Sequence, residues 1–572
     1  MKAKLLFTSF LFAVNFSFAQ VSADLDINNV KARINPGGDL FWDFQTARFE
    51  VPKGSGINSI FAANLWIGGM DNQNQLHVAA QTYRQAGTDF YPGPLDTLNV
   101  DILSSVSNSA QWNRVWKINK STIDSFKLGL FQTIPQSIMN WPGNGDPQYN
   151  QNNYLAPYFN AGGTWKYEPA SGDYPIIKGD QAIYFIYNDH MQGVNHTESK
   201  TSLPLGVEIH GMAYAFKCSG DSALDNTIFI HYKIINRSFF QWQNCYAGMW
   251  CDFDIGDYSD DYVGCDVTRQ CFYGYNGDAT DGTGGPGTYG TKLGAQSVVF
   301  LHGLESDSAD GVDNNKNCMI DEPGETSLMS KFLYYNNDGS VIGNPDTAYH
   351  YYNYLRELWK DNTPMSYGGN GHNSGQPCNY MFPGLSDQQY GWGLGGTCAP
   401  FNPVSSAPWD EGSSNNAPGD RRGLGSSGPF TMVPGGVYTL DLAYVFGRDY
   451  TASGVQQSLN VMNTRIDSIR SYFNNNSTPC GQIFNTGIAQ QQHHEDIFTL
   501  YPNPSSDVIN IHYTGNAKNI PVTIFDITGK EIMKLNSSQL KNSIDISSLP
   551  AGLYLIRVSD GERVSTKKFV KE

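Results

Sequence analysis

Apolar and polar positions follow a strand-like pattern over most of the chain. Segments such as SIFAANLWIGG, QAIYFIYND, LGVEIHGMAYAFKC, NTIFIHYKIINRS, QSVVFLHGL and VYTLDLAYVFGRD are rich in aromatic and β-branched residues. They mix period-two alternation with fully apolar runs, and both patterns predict strands. Long Gly/Asn/Asp loops separate them. A different period appears at Leu459, Met462, Ile466, Ile469 and Phe473, whose three- and four-residue steps predict one amphipathic helix. The following NNNSTPCGQIFNTGIAQQQHHED has no period and reads as a linker. Beyond Phe498 short strands alternate with turns: DVINIHY, VTIFDI, EIMKL, SIDISS, LYLIRV and RVSTKKFV. That spacing predicts a small antiparallel sandwich. The expected fold class is all-β: a large β-sandwich body with long loop insertions and one closing helix (20–485), a linker (486–497), and a small C-terminal Ig-like β-sandwich (498–572).

Composition sharpens this picture. A length of 572 residues exceeds a single core. Aromatic residues at 13% against charged residues at 16%, with 59 Gly and 28 Pro, favour short strands and many turns over helical bundles. A net charge of -17 opposes binding to nucleic acid or to anionic lipid surfaces. The acids are 41 Asp against 13 Glu, and Asp with Gly and Asn belongs in turns and oxygen-rich cation loops. The opening MKAKLLFTSFLFAVNFSFAQ has Lys2 and Lys4, an apolar run, and small residues Ser17 and Ala19 before an expected cut at Gln20. It reads as a signal peptide over 1–19. No later run reaches membrane-spanning length. Nine cysteines follow, which export permits to pair; their odd number leaves one over, and their spacing does not suggest zinc.

The tail residues carry a family resemblance. Tyr501, Pro502, Asn503, Pro504 and Ser505, the IFDITGKEI centre with Gly529, the IDISSLPAGLYLIRV segment with Gly552, and the closing STKKFVKE together resemble the type A sorting domain of the type IX secretion system of Bacteroidota. The resemblance implies export across the outer membrane, the type IX machinery as a partner, and release or attachment to surface lipopolysaccharide. In the body, NLWIGGMDNQNQLHVAAQTYRQAGTDFYPGPL, GDYPIIKGDQAIYFIYND, DFDIGDYSDDYVGCD and APGDRRGLGSSGPFTMVPG are similar to an architecture that recurs in large secreted sorting-domain proteins. That second resemblance implies no activity.

Candidate chemistry is sparse. MWCDFDIGDYSDDYVGCD places Asp252, Asp254, Asp257, Asp260, Asp261 and Asp266 within fifteen residues. If MWCDFD is a strand, Asp252 and Asp254 share a face. Two carboxylates about 6 Å apart repel by roughly 3 kcal/mol at an effective dielectric near 20. Three readings follow: a calcium site, a solvated acidic loop, or a catalytic carboxylate pair, with calcium preferred because oxygen ligands on Gly-containing loops suit it. In DGVDNNKNCMIDEPGE, Asp313, Asn315, Asn317 and Asp321 occupy positions 1, 3, 5 and 9 of an EF-like loop. It resembles the Asp/Asn-rich calcium repeats of the thrombospondin type 3 kind, but Cys318 stands at the turn glycine and Gly324 at position 12. An ordinary Asn-rich turn is the competing reading.

Glu208 and His210 share a strand face and read as a structural pair. Asp420, Arg421 and Arg422 in GDRRG read as a salt-bridged turn, with an anionic sugar as the alternative ligand. The HHED run lies in the linker. Aromatics in NWPGNGDPQYNQNNY, YYNYLRELW and YGWGLGG suit core packing better than sugar stacking. No metalloprotease, nucleophile-elbow or phosphate-loop motif occurs. The expected function is therefore a secreted or cell-surface binding or structural protein with calcium-stapled loops; the alternative is a secreted hydrolase acting on polysaccharide with two carboxylates.

Overall fold

The computed structural model describes residues 22–96, 111–152, 154–163, 166–191, 193–200, 202–307, 310–322, 324–396, 408–484, 498–513, 521–526, 530–535, 543–559 and 564–572. The expected signal peptide (1–19), the expected 486–497 linker with its HHED run, Cys398 and Gly529 lie outside the described residues. Two large antiparallel sheets form the body. One runs in the order Ala23–Leu25, Lys31–Ile34, Phe49–Glu50, Asn58–Met70, Trp242–Phe253, Arg421–Met432, Lys331–Tyr335, with Leu76–Ala79 also on Asn58–Met70. The other runs Asp261–Asp266, Cys271–Asn276, Gly294–His302, Val437–Arg448, Thr227–Asn236, Val207–Ala215, Gln181–Asn188, Tyr91–Pro92, with Trp116–Asn119 also on Gln181–Asn188.

The sheets face one another across a core built from alternate positions. Leu65 and Ile67 on one side meet Phe185, Ile209, Ile230 and Leu442 on the other, all essentially sealed from solvent. The second sheet is covered on its far face as well. There Tyr184, Met212, Tyr214, Phe229 and Val445 pack with Met462, Ile466 and Ile469 of the helix Val455–Asn474, and with Trp112, Trp116 and Trp141 of the 111–178 excursion. Burial on both faces explains why strands such as QAIYFIYN read as continuous apolar runs rather than as clean alternation. The helix follows the predicted stripe. The long insertions add shorter helices at Lys120–Lys127, Gln136–Met139 and Ala348–Leu355, where the sequence reading had one closing helix only.

Some of the loop aromatics turn inward, while Tyr149, Tyr154, Tyr390 and Trp392 stay partly exposed. Trp141, Tyr351, Tyr352, Tyr354 and Trp359 are buried, and Trp66 stacks on Trp250 with Tyr351 against its edge. A disulfide joins Cys218 to Cys480 across 262 residues, tying the end of the closing-helix segment back to the second sheet. Cys318 is disulfide-bonded too, whereas Cys245, Cys251, Cys265, Cys271 and Cys378 are buried free thiols.

The tail has two small sheets, Phe498–Tyr501 with Val508–Tyr513 and Ser543–Asp545, and Glu531–Leu535 with Val522–Asp526, Gly552–Ser559 and Val564–Lys571. Phe498, Ile509, Ile524, Ile556 and Phe569 fill the space between them. The Tyr-Pro-Asn-Pro-Ser turn laces the last strand to the opposite sheet. Ser505 N donates to Val570 O at 2.9 Å, Val570 N donates to Asn503 Oδ1 at 2.9 Å, and Asn503 Nδ2 donates to Lys568 O at 3.1 Å. Gly552 opens the strand that pairs with this last one, opposite Lys571.

Candidate metal centre

The acidic run lies where the chain leaves one sheet for the other. Trp242–Phe253 belongs to the first sheet and Asp261–Asp266 to the second, so Asp254 to Asp260 form the corner. Register then brings in a distant segment: Asp252 pairs with Arg422 and Phe253 with Arg421. As a result Asp420, just before that strand, joins Asp252 and Asp254, with one oxygen of each within 4.8 Å of the others. Asp254 falls one residue past the strand end, yet still converges with Asp252.

The neighbours of this trio are specific. Tyr83 donates its hydroxyl to Asp252 Oδ2 at 2.6 Å and accepts from Arg422 Nε at 2.7 Å. Arg422 Nη2 and Asn337 Nδ2 donate to Asp420 Oδ2 at 3.1 and 3.0 Å. Tyr83 is itself set edge-on against Trp250 at 5.2 Å. Asp252 Oδ1 is buried with no hydrogen-bond partner, 3.7 Å from Arg422 Nε, on a residue only 3% exposed. Burial pushes the Asp252 carboxyl up to about 7; Arg422 opposes the rise and the Asp420 charge adds to it. Burial likewise lifts Asp254 well above the carboxylate range, helped by Asp252 and Asp420. One arginine does not balance three acids held this closely.

The other predicted ligands go elsewhere. Asp257 caps the turn by accepting from Ser259 N at 3.0 Å. Asp260 accepts from Asn276 Nδ2 and Gly282 N, at 2.8 and 2.6 Å. Asp261 accepts from Ile255 N at 2.9 Å, while its Oδ1 is buried and unpartnered. Asp266 forms an ion pair with Arg269 at 2.7 Å. Asp281, not singled out in the sequence, accepts from Asp257 N at 2.8 Å and from Tyr289 N.

In the second loop, Asp313 accepts from Asn317 N and Cys318 N at 3.0 and 2.8 Å. Asn315 and Asn317 accept from Asn317 N and Met319 N, at 2.9 and 2.8 Å, and Asp321 accepts from Gly311 N at 2.9 Å. Their side-chain amides turn to Glu322. Cys318, at the expected glycine position, does take the left-handed turn conformation, with φ 73°. These contacts knit a web of Asx turns.

The Glu208 and His210 pair is internal: His210 Nε2 lies 2.7 Å from Glu208 Oε1, Tyr184 Oη lies 2.8 Å from His210 Nδ1, and Arg237 Nη2 lies 2.6 Å from Glu208. Burial works to raise the Glu208 carboxyl, but Arg237 and His210 outweigh it and hold it well below the usual range. Arg421 turns away from the trio and forms a buried bidentate pair with Glu411 at 2.8–3.0 Å.

Residues 499–572 match the secretion system C-terminal sorting domain. The chain thus carries a type IX sorting tail behind a large N-terminal body, and that tail directs export to the cell surface or the extracellular space. Among the described residues no helix is long and apolar enough to cross a membrane. A search of curated proteins returns no match. Among solved structures, a polysaccharide lyase aligns over 68% of this chain and 39% of its own, at 6% identity and a TM-score of 0.17. A likeness that weak carries no argument about fold or activity.

Proposed function

We propose that the body is a binding or structural β-sandwich, delivered outside the cell by its tail and stapled by calcium at Asp252, Asp254 and Asp420. The observation that supports the metal is the convergence of those three carboxylates around a buried Asp252 Oδ1 that has no hydrogen-bond donor. The donor set suits a hard cation. Asp252 Oδ1, both Asp254 oxygens and Asp420 Oδ1 remain for coordination once Tyr83, Arg422 and Asn337 have taken theirs, and water completes the six to eight oxygens that calcium prefers. A bound cation would fasten the corner between the sheets to the start of Arg421–Met432. The Asp313 to Asp321 loop is a weaker second site in this reading, since its oxygens already accept from backbone N–H groups. Surface lipopolysaccharide or glycans are the proposed partners of the displayed body.

A hydrolase acting on polysaccharide fits this trio less well. Asp252 holds a proton near neutrality, as a general acid must, but at 3% exposure it cannot meet a sugar chain. Calorimetric titration of the body with calcium tests the proposal: binding that vanishes in Asp254→Asn/Asp420→Asn supports it, and equal heats in both proteins reject it. A panel of polysaccharides with product detection tests the hydrolase reading in the same preparation.

A further inference from the structure

Strand Lys331–Tyr335 closes one edge of the first sheet. Arg421–Met432 pairs with it on one side, and the segment around Asn379 runs parallel to it on the other. Phe332 N donates to Asn379 O at 2.9 Å, Met381 N donates to Phe332 O at 3.0 Å, and Phe332 bridges Tyr380. Lys331 and Asn379 are therefore neighbours across a parallel pair. Their side chains meet: Lys331 Nζ donates to Asn379 Oδ1 at 2.9 Å, and also to Glu357 Oε1 at 2.6 Å. A carbonyl bond of about 1.2 Å puts the Asn379 carboxamide carbon within roughly 4 Å of that amine, close to the separation of a near-attack arrangement.

Glu357 is held in place by the backbone. It follows the helix Ala348–Leu355 with φ 53°, its N–H donates to Tyr354 O at 3.3 Å, and its carbonyl accepts from Met365 N at 2.8 Å. The site is enclosed, with side-chain exposures of 16% for Lys331 and 13% for Glu357. Glu357 Oε2 is buried and has no hydrogen-bond partner. Burial lifts the Glu357 carboxyl up to about 7 against the pull of Lys331, so the acid can hold a proton under neutral conditions.

An amine, a carboxamide and a proton-holding acid in one enclosed place are the reactants and catalyst of an amide transfer. We propose that Lys331 and Asn379 become joined by an intramolecular isopeptide bond, with Glu357 as the acid and base of the step. Proton transfer within the ion pair leaves Lys331 as a neutral amine and Glu357 as a carboxylic acid. The Nζ lone pair attacks Cγ of Asn379, forming the Nζ–Cγ bond while Glu357 protonates the carboxamide oxygen. Glu357 then takes a proton from Nζ. As the tetrahedral intermediate collapses, Glu357 gives that proton to Nδ2, the Cγ–Nδ2 bond breaks to release ammonia, and the Glu357 carboxylate takes the hydroxyl proton back so that the C=O bond re-forms. Amine plus primary amide gives secondary amide plus ammonia, Glu357 is regenerated, and no oxidant or energy source is consumed. The new bond would close a loop of 48 residues and lock a sheet edge. It is independent of any cation at the acidic trio.

The test is the mass of the full chain, followed by fragmentation of its tryptic peptides. We expect wild-type protein lighter than its sequence by one ammonia, and a branched peptide containing both Lys331 and Asn379. Lys331→Arg, which keeps the ion pair but cannot be acylated here, and Asn379→Ala should restore the full mass. Glu357→Gln should leave the amine and carboxamide unreacted, with the same circular dichroism and protease pattern showing that it folds. In denaturing gels the wild type should migrate faster than all three. A wild-type chain at its full sequence mass, with Lys331 and Asn379 in separate peptides, overturns the proposal. So does an ammonia loss that maps to the N-terminal Gln20 or to an Asn-Gly pair. A Glu357→Gln protein that still forms the branch overturns the role of Glu357.

Discussion

Removing divalent cation while raising pH should expose the cost of gathering acids at the corner between the sheets. Asp252 rises from an ordinary 3.8 to about 7, mainly through burial. For an acid whose folded pKa is raised, the native state holds its proton more tightly than the unfolded chain. Stability is therefore unaffected below about 4, falls as pH climbs through the window up to about 7, and stays reduced above it. At about 1.4 kcal/mol per pKa unit, the whole window costs on the order of 4 kcal/mol, and the part between pH 5 and 8 about 3 kcal/mol. A body of about 460 residues unfolds with roughly 2.1 cal/mol/K per residue, or ~1 kcal/mol/K. The expected fall in Tm is then about 3 °C between pH 5 and pH 8 in chelator, beyond the background shared with Asp252→Asn. Saturating calcium should cancel it, because coordination replaces repulsion and binding adds about 2.7 kcal/mol at a hundredfold excess over Kd. Scanning calorimetry of wild type and Asp252→Asn, at both pH values, with calcium and with chelator, reads all of this. If wild type and variant lose the same Tm from pH 5 to 8, and calcium shifts neither, the corner is a protonated or solvated acid cluster and the metal reading fails.

Deleting residues 498–572 should trap the body in the periplasm; equal secretion after deletion, read by fractionation, would refute the role of the tail. Limited proteolysis should cut first within 486–497, whose sequence lacks an apolar pattern for docking; early cuts inside the large sheets would misplace the boundary. Arg421→Ala leaves Glu411 as an unpaired buried acid and should cost about 3–5 kcal/mol in chemical denaturation, whereas an exposed pair such as Lys120 with Asp124 should cost under about 1 kcal/mol. Asp313→Asn should remove little of the calcium effect on Tm, in contrast with Asp254→Asn, which should remove most of it.

Much of the architecture was legible because periodicity is a local signal. The strands Asn58–Met70, Gln181–Asn188, Thr227–Asn236 and Val437–Arg448 fall on segments chosen by composition and alternation, and the helix Val455–Asn474 falls on its stripe. The Tyr501 to Ser505 turn identified the tail because its motif is contiguous. The small helices were less visible. Ala348–Leu355 reads AYHYYNYL, an aromatic-rich run that belongs equally well to a strand until its burial partners are known.

The acidic site divides along the same line. The sequence alone placed Asp252 and Asp254 on one face on the condition that MWCDFD is a strand; the strand ends at Phe253, one residue short of Asp254, and the two still converge. Nothing in the sequence says that Asp420, 166 positions beyond Asp254, completes the group, or that Asp257, Asp260 and Asp266 turn away to cap, bridge and pair. Strand register decided that: Asp252 lies opposite Arg422, so the residue before Arg421 arrives at the corner. Likewise Lys331, Glu357 and Asn379 are unremarkable where they stand in the chain, and only the meeting of three distant segments brings the Glu357 acid and the Asn379 carboxamide each within hydrogen-bond reach of the Lys331 amine. Backbone preference is read within a few residues, and so sequence reveals elements. Electrostatics and reactivity depend on distance in space and on the exclusion of water, and both of these are fixed only when distant strands pair.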